Sequence, residues 1–290
     1  MTKPLFTGAC TALVTPMMDN KVNYPLLDRL LQRQMDAGIC AVVLAGTTGE
    51  SPVLSDMEKL ELFRRAKAFV GDQCLIIAGT GSNSTEHAVA LSRAAQAAGA
   101  DALLIVAPYY NKGNTESIYR HFAAIADAVT IPIILYNVPT RTGVDIPIQV
   151  YQKLSRIPNI VGVKEASGDI TKIAKIRNAC PEDFYIWSGN DDQIVPVISM
   201  GGKGVISVLS NLYPEETQAM CNAALLGNYT VASMIQCRMA ELIGLLFQEV
   251  NPIPVKYAMR FTGFDCGDCR LPLGEPSKEL AEKIEHYFKK

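Results

Sequence analysis

The chain has 290 residues, which exceeds the common single-domain length but fits one large barrel of roughly 250 residues with a short extension. Its 49% hydrophobic and 19% charged residues are typical of a globular protein. The net charge of -2 provides no basic field for a phosphate backbone, which argues against a nucleic-acid partner.

The N-terminal segment and the cysteines predict a soluble cytoplasmic protein. Residues 1–16 carry one lysine and then an apolar run broken by Thr, Gly and Pro, which makes a poor signal-peptide core. We find no apolar run near the roughly 20 residues that span a bilayer, so no membrane association is expected. Eight cysteines are scattered through apolar segments of a chain that is large enough to fold without disulfides, so we expect reduced thiols.

Eight short apolar or β-branched runs recur along the chain, each followed by a segment with the periodicity of a helix. The runs occupy residues 8–16, 41–46, 74–80, 100–108, 131–139, 159–166, 184–189 and 204–208. The intervening segments include NYPLLDRLLQRQMDAG, SDMEKLELFRRAKAFVG and TEHAVALSRAAQAAGA. Eight βα units in this order predict an α/β fold, a closed (β/α)8 TIM barrel, with a doubly wound open sheet as the alternative.

The strand signal stops near residue 212, and the rest of the chain is predicted to be helical. The predicted helices are LYPEETQAMCNAALLGNY, TVASMIQCRMAELIGLLFQ, NPIPVKYAMRFTG and PSKELAEKIEHYFKK. The first completes the eighth unit, which predicts a catalytic barrel over residues 1–225 and a C-terminal helical domain over residues 226–290. No Pro/Gly/Ser-rich linker separates the two parts, so we expect the helices to pack on the barrel.

Polar residues follow several predicted strands, at the end of a parallel barrel where catalytic groups lie. The second strand leads into GTTGES (46–51), the fourth into PYYNK (108–112) and the fifth into YNVPTRTG (136–143), and the sixth contains Lys164. Because side chains alternate along a strand, Lys164 and Gly162 can both face the barrel interior. Desolvation there favours the neutral amine, which attacks carbonyl groups, although a lysine paired with a barrel carboxylate remains the alternative.

The neighbouring strand supplies a tyrosine that favours the nucleophile. Strands five and six should lie about 4.8 Å apart, which brings the phenol of Tyr136 near Lys164, with Thr47 and Tyr110 as further hydroxyl groups for proton transfer. Arg141 suits bidentate capture of a substrate carboxylate at the barrel mouth. Taken singly, each of these residues also has a structural interpretation, as a strand cap, a turn residue or a loop salt bridge.

Other motifs carry less weight. GTGS (79–82) and GGKG (201–204) lack the context of a phosphate-binding loop. Cys266 and Cys269 have zinc-like spacing, but no second pair and no suitably placed histidine follows, so two unpaired thiols are expected. The three histidines fall on predicted helices and form no metal or triad pattern. We therefore predict no metal site.

Together, GTTGES, PYYNK, YNVPTRTG, GVKEASGD (162–169) and SGND (188–191) resemble the dihydrodipicolinate synthase family of the diaminopimelate route to lysine. The match runs in order from about residue 5 to the C-terminal helices. The wider superfamily of pyruvate-dependent, Schiff-base-forming lyases includes N-acetylneuraminate lyase and 2-keto-3-deoxygluconate aldolase. The arginine of YNVPTRTG is the feature that indicates the synthase rather than these sister enzymes.

The resemblance implies a role for each candidate residue. Lys164 would form the imine with pyruvate, and Tyr136, Thr47 and Tyr110 would relay protons, Tyr110 coming from an adjacent subunit. Contacts with bound pyruvate would come from Thr48, Gly189 and Ile206, and Arg141 would hold the carboxylate of aspartate semialdehyde. The resemblance further implies a product of hydroxy-tetrahydrodipicolinate, no metal or organic cofactor, and a homo-oligomer, either a dimer or a tetramer, of which the tetramer is favoured.

Regulation is expected to differ from that of lysine-inhibited members of this family. Those members carry a Ser, two His, an Asn, a Glu and a Tyr at the inhibitor site. This chain keeps Ser51, Asn83 and Tyr109, but has Asp56, Lys59 and His87 at the other positions. A lost carboxylate and an added cation remove partners for an ammonium group, which predicts weak feedback by lysine.

Two other functions are weighed against the synthase. A sister aldolase acting on a sugar acid would not require Arg141. A barrel that has lost catalysis and serves only as a binding protein would not be expected to retain Lys164, Tyr136, Thr47 and Tyr110 together.

Overall fold

The computed structural model describes residues 3–290 and contains a closed barrel of eight parallel strands. Each strand pairs with the next along the chain, and the eighth pairs with the first. The strands are β1 Gly8–Ala12, β2 Ala41–Leu44, β3 Leu75–Gly79, β4 Ala102–Val106, β5 Ile133–Asn137, β6 Ile160–Glu165, β7 Tyr185–Ser188 and β8 Gly204–Ser207. The predicted barrel is therefore confirmed, and the doubly wound open sheet is wrong.

Helices cover the outside of the barrel, and side-chain caps begin several of them. Ser55 and Glu58 form a reciprocal capping box, and Asn23, Ser84 and Asn114 accept hydrogen bonds from backbone N–H groups of the first turn of their helices. The covering helices are Tyr24–Asp36, Asp56–Val70, Thr85–Ala97, Thr115–Asp127, Ile148–Leu154, Ile170–Ala179, Ile194–Ser199 and Pro214–Leu225. A one-turn helix, Pro139–Thr142, and a two-stranded hairpin, Met17–Met18 with Lys21–Val22, were not predicted.

Alternating side chains of the strands divide the apolar core into two layers. Val43, Ile77, Leu104 and Ile206 belong to the layer inside the barrel, whereas their strand neighbours pack against the helices. Phe6 and Trp187 belong to the inner layer and stack with their ring centroids 4.8 Å apart. The barrel is thus a packed core, and polar chemistry is confined to its mouth.

The C-terminal extension contains three α-helices, Tyr229–Gln248, Ile253–Met259 and Lys278–Lys289. By length and composition alone, Tyr229–Gln248 could cross a membrane, which the sequence analysis did not anticipate. Its inner face is buried and packs on Pro214–Leu225 and Ile194–Ser199. A single helix of this kind is weak evidence for a membrane span, because helices packed on a protein core can have the same length and composition.

Charged residues fasten the extension to the barrel near its mouth. Arg270 donates to both carboxylate oxygens of Glu58, at 2.6 and 3.0 Å. These bonds lower the pKa of Glu58 to about 2. In addition, Lys256 forms a buried ion pair with Glu50 at 2.9 Å. Glu50 lies between β2 and the helix Asp56–Val70, and Glu58 lies in the first turn of that helix, so the extension helps to shape the segment that follows β2.

Candidate active site

The strand register brings Lys164 and Tyr136 together at the barrel mouth. The two residues are directly paired between β6 and β5, and Lys164 Nζ lies 4.5 Å from the centroid of the Tyr136 ring. Both side chains are buried, Lys164 being 5% exposed. A Cβ at Gly189 would come within 3.1 Å of Lys164 Cε and 2.5 Å of Ala166 Cβ, so only glycine leaves space for the lysine here.

Lys164 differs from the other buried lysines in having no carboxylate partner. The buried lysines of residues 3–290 are Lys59, Lys164, Lys172 and Lys256. The other three form ion pairs, Lys59 with Asp56 at 3.8 Å, Lys172 with Asp145, and Lys256 with Glu50 at 2.9 Å. Within the described chain no carboxylate pairs with Lys164. An unpaired buried amine is costly for stability, which favours the nucleophile over the structural salt bridge.

The residues that fix these two strand ends were missed by the sequence analysis. Asn137 and Glu165 follow Tyr136 and Lys164 and point to the helical side of the barrel, where Asn137 Nδ2 donates to Glu165 at 3.0 Å. Glu165 also accepts from the hydroxyl of Tyr151 at 3.1 Å and the backbone N–H of Ser167 at 2.8 Å. A buried carboxylate that accepts three donors holds the two strand ends in register. The alternation of side chains along each strand was the signal that could have identified these two residues, because it turns the neighbours of Tyr136 and Lys164 towards the helices.

A cavity of about 670 Å³ opens at the C-terminal end of the strands. Its inner part is lined by Thr47, Tyr136 and Arg141, three of the residues singled out from the sequence. Arg141 Nη2 donates to the backbone carbonyl of Asn251 at 3.3 Å, which anchors the guanidinium at the rim. The cavity therefore brings together the hydroxyl groups of Thr47 and Tyr136 and the guanidinium of Arg141, and Tyr136 is also paired with Lys164.

Five of the predicted residues do not line this cavity: Lys164, Thr48, Tyr110, Gly189 and Ile206. Thr48 is buried and accepts a hydrogen bond from Asn251 Nδ2 at 2.9 Å. Ile206 belongs to the inner core and is aligned with Cys10 of β1. Tyr110 is 83% exposed and has a left-handed backbone conformation, with φ of 71°. Its ring is therefore exposed and does not contribute to the cavity of its own chain.

The outer part of the cavity contains the residues that depart from the lysine-inhibited pattern. His87 Nε2 lies 2.8 Å from Asp56 Oδ2, and His87 Nδ1 lies 3.2 Å from Ser82 Oγ. Lys59 is buried against the same carboxylate, and burial lowers the pKa of its amine. The single carboxylate of this region is thus shared between two residues of the chain itself, while Ser51, Asn83 and Tyr109 line the remaining wall.

The cysteine motif of the extension contains two buried free thiols, as expected. Burial raises the pKa of Cys266 and of Cys269 to about 12, so both stay protonated near neutrality. Among residues 3–290 no group of three or more His, Cys, Asp or Glu side chains is arranged to hold a metal ion.

Fold and site together define a (β/α)8-barrel enzyme with a buried, unpaired lysine at its mouth. The sequence pattern of the Dihydrodipicolinate synthetase family matches residues 5–290, and the chain belongs to this family. A 4-hydroxy-tetrahydrodipicolinate synthase of Caldicellulosiruptor saccharolyticus is 48% identical over 284 residues, covering 97% of this chain and 96% of the relative. Another, from Acetivibrio thermocellus, is 44% identical over 289 residues, covering 100% and 98%.

Solved structures agree with the sequence comparison. The structure of DHDPS from Cyanidioschyzon merolae with lysine bound superposes with a TM-score of 0.95 at 41% identity, covering 98% of this chain and 97% of that one. The resemblance drawn from the motifs is thereby confirmed, and the sister sugar-acid aldolase is not favoured.

Proposed function

We propose that this chain condenses pyruvate with L-aspartate 4-semialdehyde through an imine on Lys164, giving 4-hydroxy-tetrahydrodipicolinate for the diaminopimelate route to lysine. The observation that carries the proposal is the buried amine of Lys164, which lacks a carboxylate partner and lies against Tyr136. The names of the full-length relatives support the same reaction.

The chemistry follows from the position of this amine. The neutral amine of Lys164 attacks the ketone carbon of pyruvate, and loss of water gives the imine. Loss of a methyl proton gives an enamine, whose carbon attacks the aldehyde of the second substrate. The amino group of that substrate then attacks the imine carbon and closes the ring, which releases Lys164. Protons must move at each step, and Tyr136 and Thr47 provide two of the hydroxyl groups that line the cavity.

Substrate recognition is proposed for the residues around the lysine and at the rim. Thr48, Gly189 and Ile206 surround the position where pyruvate would be bound. Arg141 faces the cavity, where a guanidinium can hold the carboxylate of the semialdehyde through two hydrogen bonds. An amino-acid semialdehyde presents such a carboxylate next to its amino group, which explains a preference for this substrate over a sugar-acid aldehyde.

A shared site is proposed for Tyr110. Its exposed ring suits insertion into the cavity of a second copy related by two-fold symmetry. The assembly proposed is a homodimer of this kind, and a tetramer where two such dimers associate. We propose a cytoplasmic location, in keeping with eight cysteines that are all free thiols.

Borohydride trapping tests the proposed reaction directly. Reduction in the presence of pyruvate should attach one reduced pyruvate per chain, and peptide mass spectrometry should locate it on Lys164. The adduct should be absent from Lys164→Ala and unchanged in Lys153→Ala, which removes an exposed lysine. An adduct on another lysine of the wild-type chain, or none, would contradict the proposal.

L-Lysine should have little effect on the rate. At millimolar concentration we expect almost no inhibition, because Asp56 is already paired with His87 and the cation of Lys59 opposes a second ammonium group. A rate titration at subsaturating pyruvate measures this, with L-norleucine as a control without the side-chain charge. Strong inhibition by L-lysine, without inhibition by L-norleucine, would show that Ser51, Asn83 and Tyr109 suffice for binding.

A further inference from the structure

Asn251 joins the C-terminal extension to two of the residues proposed to bind the substrates. It lies between the helices Tyr229–Gln248 and Ile253–Met259 and is 4% exposed. Its side-chain Nδ2 donates to Thr48 Oγ1 at 2.9 Å, whereas its backbone carbonyl accepts from Arg141 Nη2 at 3.3 Å. One residue therefore contacts both subsites, but through different atoms.

The hydrogen bond from the Asn251 side chain determines whether the hydroxyl of Thr48 is free to donate or to accept. A threonine hydroxyl has one proton to donate and two lone pairs with which to accept. Since Thr48 Oγ1 accepts from Asn251, its own proton stays available, and among residues 3–290 this hydroxyl donates no hydrogen bond. Asn251 thus orients Thr48 as a donor, which is the polarity that a substrate carboxylate requires.

The side-chain oxygen of Asn251 indicates that the stability of the fold is not the reason for an asparagine at this position. Asn251 Oδ1 is buried and has no hydrogen-bond partner in the described chain. A buried acceptor without a donor is unfavourable, and such groups are uncommon in folded proteins. An apolar residue would avoid this penalty, so the amide is better explained by the polarity that it imposes on Thr48.

From this geometry, we infer that Asn251 is a positioning residue that makes Thr48 a hydrogen-bond donor to the carboxylate of pyruvate. The inference rests on the proposed function, because it assigns the pyruvate carboxylate to Thr48. It separates the two atoms of Asn251 by role: the side chain serves pyruvate, and the backbone carbonyl serves Arg141 and the semialdehyde. Substitutions at position 251 keep the carbonyl, so they should affect only the first substrate.

Two substitutions of different polarity test this separation. Asn251→Asp is nearly isosteric, but its carboxylate would accept a hydrogen bond from the hydroxyl of Thr48. The hydroxyl would then present a lone pair, and no proton, to the carboxylate of pyruvate. We expect it to raise the pyruvate KM, and the pyruvate concentration for half-maximal borohydride trapping, by about tenfold or more. Asn251→Ala only frees the hydroxyl and should raise both about threefold. The KM for the semialdehyde should stay within about twofold in both variants, since Arg141 keeps its acceptor.

Two controls complete the test. Thermal unfolding shows whether each variant is folded, and a chain that carries Thr48→Val shows whether the effect depends on the hydroxyl of Thr48. In a Thr48→Val chain, Asn251→Asp should raise the pyruvate KM no further, because the hydroxyl on which it acts is gone. If Asn251→Asp does not fold, Asn251→Ala still decides through the split between the two KM values. Equal changes for both substrates, or no change for pyruvate, would overturn the inference. A wild-type chain that forms no adduct on Lys164 would instead overturn the proposed function.

Discussion

Lys164→Ala and Tyr110→Phe chains should each be nearly inactive alone, yet regain about one quarter of wild-type activity when they are unfolded together and reassembled. Lys164→Ala removes the nucleophile, for which a loss of about a thousandfold or more is expected. Tyr110→Phe removes a hydroxyl group that does not contribute to its own cavity, so the affected site would be that of the partner copy.

The expected recovery follows from counting sites. In a mixed dimer, the Tyr110→Phe copy keeps its lysine and receives an intact tyrosine from the Lys164→Ala copy. One of its two sites is therefore complete. Random pairing makes about half of the dimers mixed, and half of the sites in these dimers are active, which gives about one quarter. Activity is measured after reassembly of equal amounts, with each variant reassembled alone for reference.

A matched control distinguishes a shared site from a general benefit of mixing. Tyr136 is paired with Lys164 in the same chain, so a Tyr136→Phe copy mixed with a Lys164→Ala copy contains no complete site. This mixture should show no recovery. If the Tyr110→Phe mixture shows only the average of its two components, Tyr110 acts within its own chain or has no part in proton transfer.

The barrel and its central pair could be predicted because they depend on local signals. Apolar runs of strand length recur eight times, and each of the eight barrel strands falls inside one of them. Strand alternation then turns Lys164 inward, and the pairing of consecutive strands aligns it with Tyr136. Neither inference requires knowledge of distant parts of the chain, since parallel neighbours in a barrel are successive in sequence.

Contacts with the extension could not be predicted in the same way. Asn251 and Thr48 are separated by 203 residues, and Lys256 and Glu50 by 206. The periodicity of the helices does not determine where an extension docks. The exposure of Tyr110 agrees with its expected place at an adjacent subunit, but its left-handed backbone conformation could not be predicted, because the local sequence does not demand it. These long-range contacts shape the mouth, whereas the strands alone align Lys164 with Tyr136.

The ion pair between Lys256 and Glu50 should dominate the stability of the docked extension. Lys256 Nζ donates to Glu50 Oε1 at 2.9 Å and to the carbonyl of Asp268 at 3.0 Å, and both charged side chains are buried. Glu50 also accepts from the backbone N–H of Arg270 at 2.8 Å. Lys256→Met would leave the carboxylate buried without its cation, so we expect the free energy of unfolding to fall by about 3–5 kcal/mol.

Two further variants show whether the unpaired charge causes this loss. Glu50→Gln combined with Lys256→Met removes both charges and keeps an acceptor for Arg270, so the double variant should be more stable than Lys256→Met alone. Lys283→Met breaks an exposed ion pair with Glu279, at 2.7 Å, and should cost less than about 1 kcal/mol. Urea unfolding followed by circular dichroism measures all three. A cost for Lys256→Met no larger than that for Lys283→Met would mean that the burial of this pair does not stabilise the extension.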